Sequence, residues 1–303
     1  MLENWKEFGG ITVLLKEKKL SFIFECDGNK VDLSSFDYGI ISVDGIESTD
    51  FENYSSTNSF YDGCTIYKTR IKERYISLKF EYIKENDKEE KRQELIRFFN
   101  PFLPGTLTVK YGNIERLIEY KVDKFSSKII NVNDLLNVTV DLICPNPYWT
   151  EPGGIVNDIA YWQGTFEFPL EIDTVNKIEF GRRNDSLIAN IENTGDVECG
   201  FIIEFKAQGA VKNPSLLNVM TREFIKINRT MKAGEVITVD TRFNKKKVIS
   251  KFEGDETNIL NFIDLNSTFI QLYKGDNYFK YEAEENISNL EIRIVHNNWY
   301  LGV

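Results

Sequence analysis

The chain has 303 residues, 42% hydrophobic and 28% charged, which suits a globular protein of about two domains. A net charge of -10 argues against a nucleic-acid binder or a partner of anionic membranes, both of which need basic patches. Four scattered cysteines without a CxxC pair, and a single histidine, argue against a disulfide framework and against a zinc site.

The wealth of aromatic residues, 22 Phe and 14 Tyr, favours sheet. Met1–Gly10 reads as a short arm. Its apolar neighbour Ile11–Leu15 is too short for a signal peptide and is followed by Lys16, Lys18 and Lys19. No stretch has the length of a transmembrane helix, so a cytoplasmic place of synthesis is expected. Ile11–Leu15, Leu20–Cys26 and Gly39–Val43 read as strands, with Asp27-Gly28-Asn29 as a turn. Ser48–Tyr61 is polar and aromatic without a strand period. Gly63–Ile71 resumes a strand. In Arg74–Ile83 the residues Ile76, Leu78, Phe80 and Tyr82 alternate against Tyr75, Ser77, Lys79 and Glu81.

Lys88–Phe99 reads as the one helix. Asp87 and Glu90 form a candidate capping box, and Leu95, Ile96, Phe98 and Phe99 group toward one side. Asn100-Pro101 ends it, Pro104-Gly105 turns the chain, and a hairpin through Gly112-Asn113 follows. Val138, Val140 and Leu142 alternate along another strand. Pro145, Pro147 and Glu151-Pro152-Gly153-Gly154 mark a domain boundary, placed between residues 149 and 150.

Beyond the boundary the chain is strand-like throughout. Phe166–Leu170, Leu187–Glu192, Val197–Ala207, Phe224–Ile227, Val236–Thr241, Val248-Ile249, Phe269–Tyr273, Tyr278–Glu282 and Leu290–Val295 are strand candidates. Asn193-Thr194-Gly195-Asp196 reads as a hairpin turn. Short strands without helices between them predict a β-sandwich.

No residue pattern points to catalysis. His296 shares a strand face with Leu290, Ile292 and Ile294 and reads as a core-edge histidine. No GxSxG elbow, phosphate loop or EF-hand loop is present. Asp185, Asp196 and Asp240 read as solvated carboxylates at turns and strand ends. Trp149, Trp162 and Trp299 read as core or interface anchors. The expected protein is therefore not an enzyme and carries no cofactor and no metal.

Several motifs carry a family resemblance. The helix ending Arg97-Phe98-Phe99-Asn100-Pro101, the hairpin LPGTLTVKYG (Leu103–Gly112) and CPNPYW (Cys144–Trp149) resemble the N-terminal domain of distal tail proteins of long-tailed phages. Trp162-Gln163-Gly164 with FEFPLEI (Phe166–Ile172), NTGDVECGFIIEF (Asn193–Phe205), KAGEVITVDT (Lys232–Thr241), YKGDNYFKY (Tyr273–Tyr281) and WYLGV (Trp299–Val303) are similar to the second domain. The resemblance implies a mainly β protein. Residues 1–149 would be a β-rich, ring-forming domain with one α-helix, and residues 150–303 a galectin-like β-sandwich. It implies a hexameric ring of this chain at the baseplate of a virion tail, assembled in the bacterial host cytoplasm. Its partners would be the tail tube protein and a tail-tip, fibre or lysin protein. The candidate ring contacts are Phe51, Tyr54, Phe60 and Tyr61 in Ser48–Tyr61, a stretch that reads equally as a surface loop. A carbohydrate-binding protein recognising host wall glycan is the alternative, and a glycoside hydrolase argued from carboxylates alone is a third reading.

Overall fold

The computed structural model describes residues 5–8, 11–14, 20–57, 59–84, 87–128, 135–164, 181–185 and 188–303, with backbone alone at 5–8, 11–14, 162–164 and 181–185. The chain divides into two compact units, residues 1–152 with 300–303 and residues 153–299.

In the first unit β1 (Trp5–Phe8) pairs with β2 (Ile11–Leu14), so part of the expected arm is a small hairpin. Next come β3 (Leu20–Cys26), β4 (Asn29–Asp32), β5 (Tyr38–Asp44), β6 (Phe51–Thr57), β7 (Cys64–Ile71) and β8 (Arg74–Tyr82). Helix α1 (Lys88–Phe98) leads to β9 (Gly105–Tyr111), β10 (Ile114–Ser126) and β11 (Leu136–Cys144). Seven strands form one antiparallel sheet in the order β4-β3-β9-β10-β11-β8-β5.

The long β10 belongs to both wings of that sheet. Ile114–Tyr120 pairs with β9, Lys121–Ser126 pairs with β11, and a bulge lies between Val122 and Lys124. A bulge bends and twists its strand, which lets both wings serve one core. Phe22, Phe24, Leu107 and Val109 enter it from one wing, and Ile76, Leu78, Phe80, Val138, Val140 and Leu142 from the other. Gly105 stands opposite Tyr120, and a Cβ there would lie 2.5 Å from the tyrosine ring. Only glycine leaves that ring room to lie across the strand.

Helix α1 covers this core with Leu95, and Phe99 follows at its C-terminal end, whereas Ile96 faces solvent. The capping box does not form. Asp87 makes no side-chain cap bond, because its carboxylate accepts the Tyr82 hydroxyl at 2.9 and 3.0 Å.

The second unit contains β12 (Ile155–Gly164), β13 (Gly181–Asp185), β14 (Ile188–Asn193), β15 (Phe201–Ala207), β16 (Val211–Lys212), β17 (Ser215–Asn218) and β18 (Phe224–Lys226). It continues with β19 (Thr230–Met231), β20 (Val236–Asp240), β21 (Lys247–Phe252), β22 (Asp255–Asn258), β23 (Gly275–Glu282) and β24 (Leu290–His296). A seven-stranded sheet, β13-β12-β24-β15-β20-β21-β22, and a four-stranded sheet, β14-β23-β17-β18, share one core. Phe201, Ile203, Phe205, Ile292 and Ile294 come from the first sheet, Ile191, Leu216, Phe279 and Tyr281 from the second. The rings of Phe201 and Phe279 meet at 5.5 Å. The chain is thus mainly β, with one α-helix among the described residues and a β-sandwich as its second unit.

Three local expectations are corrected. Asn193–Asp196 is not a hairpin turn, because β14 and β15 lie in different sheets. The stretch is a corner pinned by the buried Asn193, whose amide donates to the carbonyls of Val197 and Leu272 at 3.0 and 3.1 Å. Phe269–Tyr273 is not a regular strand. It makes a single bridge, Cys199 with Leu272, since Ile270 and Leu272 are held by side-chain burial. The strand expected at Phe166–Leu170 lies outside the described residues. Asp240 is buried rather than solvated, gripped by the Arg242 guanidinium at 2.7 and 2.9 Å.

Residues 300–303 cluster with the first unit rather than with the sandwich that precedes them. Trp149 and Tyr300 exchange both backbone hydrogen bonds, at 3.0 and 2.9 Å, and the Val303 amide donates to Ile46 at 3.2 Å.

His296 is buried beside Ile294, and its Nε2 has no partner among the described residues. Burial pushes its imidazole below the usual 6.5, and the smaller influence of the Glu192 backbone, which favours the protonated ring, works the other way. The unfolded chain therefore takes up this proton at a higher pH than the folded chain does. Stability is fully present above about pH 6.5 and falls as the pH drops through the folded value. His296 is the only histidine. Urea midpoints measured from pH 7.5 to 5.5 should decline in the parent and decline less in His296→Leu. Equal slopes would remove His296 as the cause.

Candidate functional site

Among the described residues, strands β6 and β7 pair only with each other. Their register sets Phe51 against Ile71, Glu52 against Arg70, Asn53 against Thr69 and Tyr54 against Lys68. A bulge follows between Tyr54 and Ser55, and Ser55 then faces Ile66. Every residue of both strands is exposed except the half-buried Ile71. A free two-stranded hairpin is marginal in water, so cross-strand pairs must hold it. Opposite charges face each other at Glu52 and Arg70. The Thr69 hydroxyl donates to Asn53 at 2.7 Å, and the hydroxyls of Ser56 and Tyr67 lie 2.6 Å apart.

The four sequence-derived candidates all lie in this hairpin. Phe51 sits at its root, 64% exposed, and Tyr54 in mid-strand. Phe60 and Tyr61 occupy the tip loop, 86% and 78% exposed. Ile66 and Tyr67 on β7 add further exposed apolar surface. The hairpin brings all four onto one projecting element. Isolated apolar side chains on a surface are ordinary, but a whole element with no buried face is not.

Ser48–Tyr61 lacked a legible period because neither face of its strand is buried. A period of two marks a strand only when one side meets a core. The available signal was pairwise. Cys64–Ile71 is rich in β-branched and aromatic residues, and its charges complement those of Phe51–Thr57 when the two are folded back.

The hairpin root is built around Arg74, a residue that the reading of motifs passed over. Arg74 begins β8 on the inward parity of Ile76, Leu78, Phe80 and Tyr82, and only 2% of it is exposed. Its alternation alone placed it inside. Its Nε donates to the Pro147 carbonyl at 2.9 Å, and Nη1 to Gly45 and Ser48 at 2.6 and 2.9 Å. Nη2 donates to Leu301 at 2.5 Å, and the guanidinium lies 5.5 Å from the centre of the Trp149 ring. Burial holds its pKa down to about 10, so it stays charged at neutral pH. Gly45 has φ +86°, and a Cβ there would meet the Tyr75 carbonyl oxygen at 2.0 Å. The Lys72 amide closes the root on the Asp50 carbonyl at 2.9 Å.

Two of the three tryptophans read as core or interface anchors are packed against a core. Trp149 is wholly buried in the first core, and Trp299 is partly buried against the sandwich core. The Trp162 side chain lies outside the described residues. Among the described residues no group of His, Cys, Asp and Glu has metal-holding geometry, and no helix is long and apolar enough to cross a membrane.

Residues 194–299 match the family model described as siphovirus-type tail component, C-terminal domain. Among solved structures the chain is similar to the Dit protein of phage SPP1, described as a paradigm of the hub adsorption apparatus in phages infecting Gram-positive bacteria. That likeness has a TM-score of 0.63 at 14% identity and covers 91% of this chain and 98% of that one. A chain of the phage P2 baseplate in its activated conformation with calcium gives a TM-score of 0.53 at 8% identity, with the same 91% and 98% coverage. The corresponding baseplate with strontium gives 0.50 at 10% identity, again covering 91% and 98%. No curated protein matches the chain in sequence. At these identities the likeness shows the fold, which is that of Dit hub proteins over nine-tenths of the chain.

Proposed function

We propose that this chain is a structural component of a phage tail tip, a distal tail protein that self-assembles into the hub of a baseplate. The observation that carries the reading is the likeness to the SPP1 Dit protein across 91% of this chain. The tail-component match over residues 194–299 supports it independently in the second unit. The carbohydrate-binding alternative loses support, since Trp149 is unavailable for stacking.

The chain acts by assembly rather than by catalysis. Copies join through the first unit into a closed ring, which the resemblance makes a hexamer, between the tail tube and a tip, fibre or lysin protein. A closed ring needs two different, complementary surfaces on each copy. The hairpin β6–β7 supplies one of them, with Phe51, Tyr54, Phe60 and Tyr61 as anchors among small polar residues. The sandwich is the galectin-like domain of that reading. The acidic balance suits a ring whose channel passes DNA without holding it.

The test is mass in solution. The intact chain should scatter light as a multiple of its 35.2 kDa, alone or with a tail-tube or tip partner. Phe60→Ser with Tyr61→Ser alters only exposed side chains and should return the mass to that of one chain. A monomer under every condition defeats the ring. A ring that survives the double substitution clears the tip residues of the contact.

A further inference from the structure

We infer that the segment Tyr300–Val303 is an intramolecular clip that sets the root of the exposed hairpin, and that offering the hairpin to a second copy depends on it. The second half of this inference rests on the assembly reading above. The first half rests on geometry alone.

A two-stranded hairpin without a buried face cannot fix its own direction. Direction is set where its strands leave the body, at residues 45–50 and 72–74. The segment 300–303 is bound at that place. Tyr300 is bonded twice to the backbone of Trp149, at 3.0 and 2.9 Å. Its ring stacks under the Arg116 guanidinium at 3.5 Å, and its hydroxyl donates to Glu151 at 2.7 Å. Arg116 donates to the same carboxylate oxygen at 2.8 Å, so ring, cation and anion lock one another. The Leu301 carbonyl takes the Arg74 Nη2, while Arg74 Nη1 holds Gly45 and Ser48. The Val303 amide donates to Ile46 at 3.2 Å.

One guanidinium therefore joins the segment to the loop from which β6 departs. Planarity makes the joint stiff. The fork of Arg74 cannot serve the Leu301 carbonyl and the 45–48 carbonyls unless both stand in fixed positions. Gly302 lies between these bonds, and a Cβ on it would sit 2.0 Å from the Glu47 carbonyl oxygen. Any side chain at 302 must therefore push the segment away from residues 45–48. Without the segment, Arg74 Nη2 and the Ile46 carbonyl lose their partners, and the loop is free to drift.

The test uses the full chain carrying Gly302→Val, and a chain stopped after Trp299. Amide exchange is followed at residues 50–57 and 64–72, with β8 and β11 as internal controls. Exchange at the hairpin should rise by about tenfold or more while the controls hold, the mark of local opening. The light-scattering mass should fall toward one chain. Unchanged hairpin exchange in both variants overturns the clip. Loosened hairpins in variants that assemble as fully as the parent overturn the dependence of assembly on it. A parent that never assembles, with variants that still loosen, defeats the assembly reading and leaves the clip standing. If valine raises the controls too, Gly302→Ala decides, because it meets the same carbonyl with less bulk.

Discussion

Arg74→Met should destabilise the first unit by about 3 kcal/mol or more, because it strips donors from the carbonyls of Gly45, Ser48, Pro147 and Leu301 at one stroke. Each orphaned buried carbonyl costs about 1–3 kcal/mol, and the loss is offset in part because a desolvated cation no longer has to be buried. No carboxylate is among these hydrogen-bond acceptors of Arg74, and Glu47, whose charge acts on it, is exposed, so the substitution strands no buried countercharge. Arg74→Lys keeps the charge but gives up the planar fork, and should fall between the parent and Met. Urea midpoints, with exchange at β8 and β11 to localise the effect, provide the measurement. A methionine variant within about 1 kcal/mol of the parent would show that water, not Arg74, satisfies these carbonyls.

Phe201→Ala should cost the sandwich about 3–5 kcal/mol, the range for deleting a fully buried aromatic ring. The ring spans the space between the two sheets and meets Phe279 at 5.5 Å. Its backbone is fixed independently, since Thr241 bonds both the Phe201 amide and its carbonyl at 2.9–3.0 Å. The strand thus has little freedom to collapse into the hole. Phe201→Leu, which leaves a smaller void, should cost less. Amides of β15 and β24 should lose protection while those of β8 and β11 keep theirs. A loss of protection in β8 equal to that in β15 would contradict two separate cores.

Most of this fold was legible wherever a strand had one wet side. The alternation in Arg74–Ile83 and in Val138–Leu142 matches the observed inward residues, because a core on one side writes a period of two into the sequence. The hairpin through Gly112-Asn113 was legible from turn chemistry, and Gly112 takes φ +60° there. Three features were not legible, each for a physical reason. Asp87 reads as a cap, but a tyrosine five residues earlier competes for its carboxylate. Asn193–Asp196 looks like a hairpin turn because a corner between sheets needs the same small polar residues. The departure of Tyr300–Val303 from the sandwich rests on bonds to residues more than a hundred positions away, which no local pattern encodes.

The candidate site was half legible. Phe51, Tyr54, Phe60 and Tyr61 stood out by composition, yet the hairpin that gathers them has no periodic signature because nothing covers it. Arg74 has the opposite character. Its parity was plain, but an arginine at an inward position draws no notice until its acceptors, contributed by three separate stretches of chain, are seen together.

The hairpin tip also carries Cys64, the exposed member of the four thiols. Cys26, Cys144 and Cys199 are buried, and burial pushes the last two up to about 12. Thiol reagents attack the thiolate, so at neutral pH buried groups of this kind react far more slowly than an exposed one. The natural chain therefore offers one chemical handle, placed on the element whose neighbours matter most. A maleimide dye on Cys64 would report, by energy transfer between copies, how close one hairpin tip comes to the next, without a single substitution in the protein.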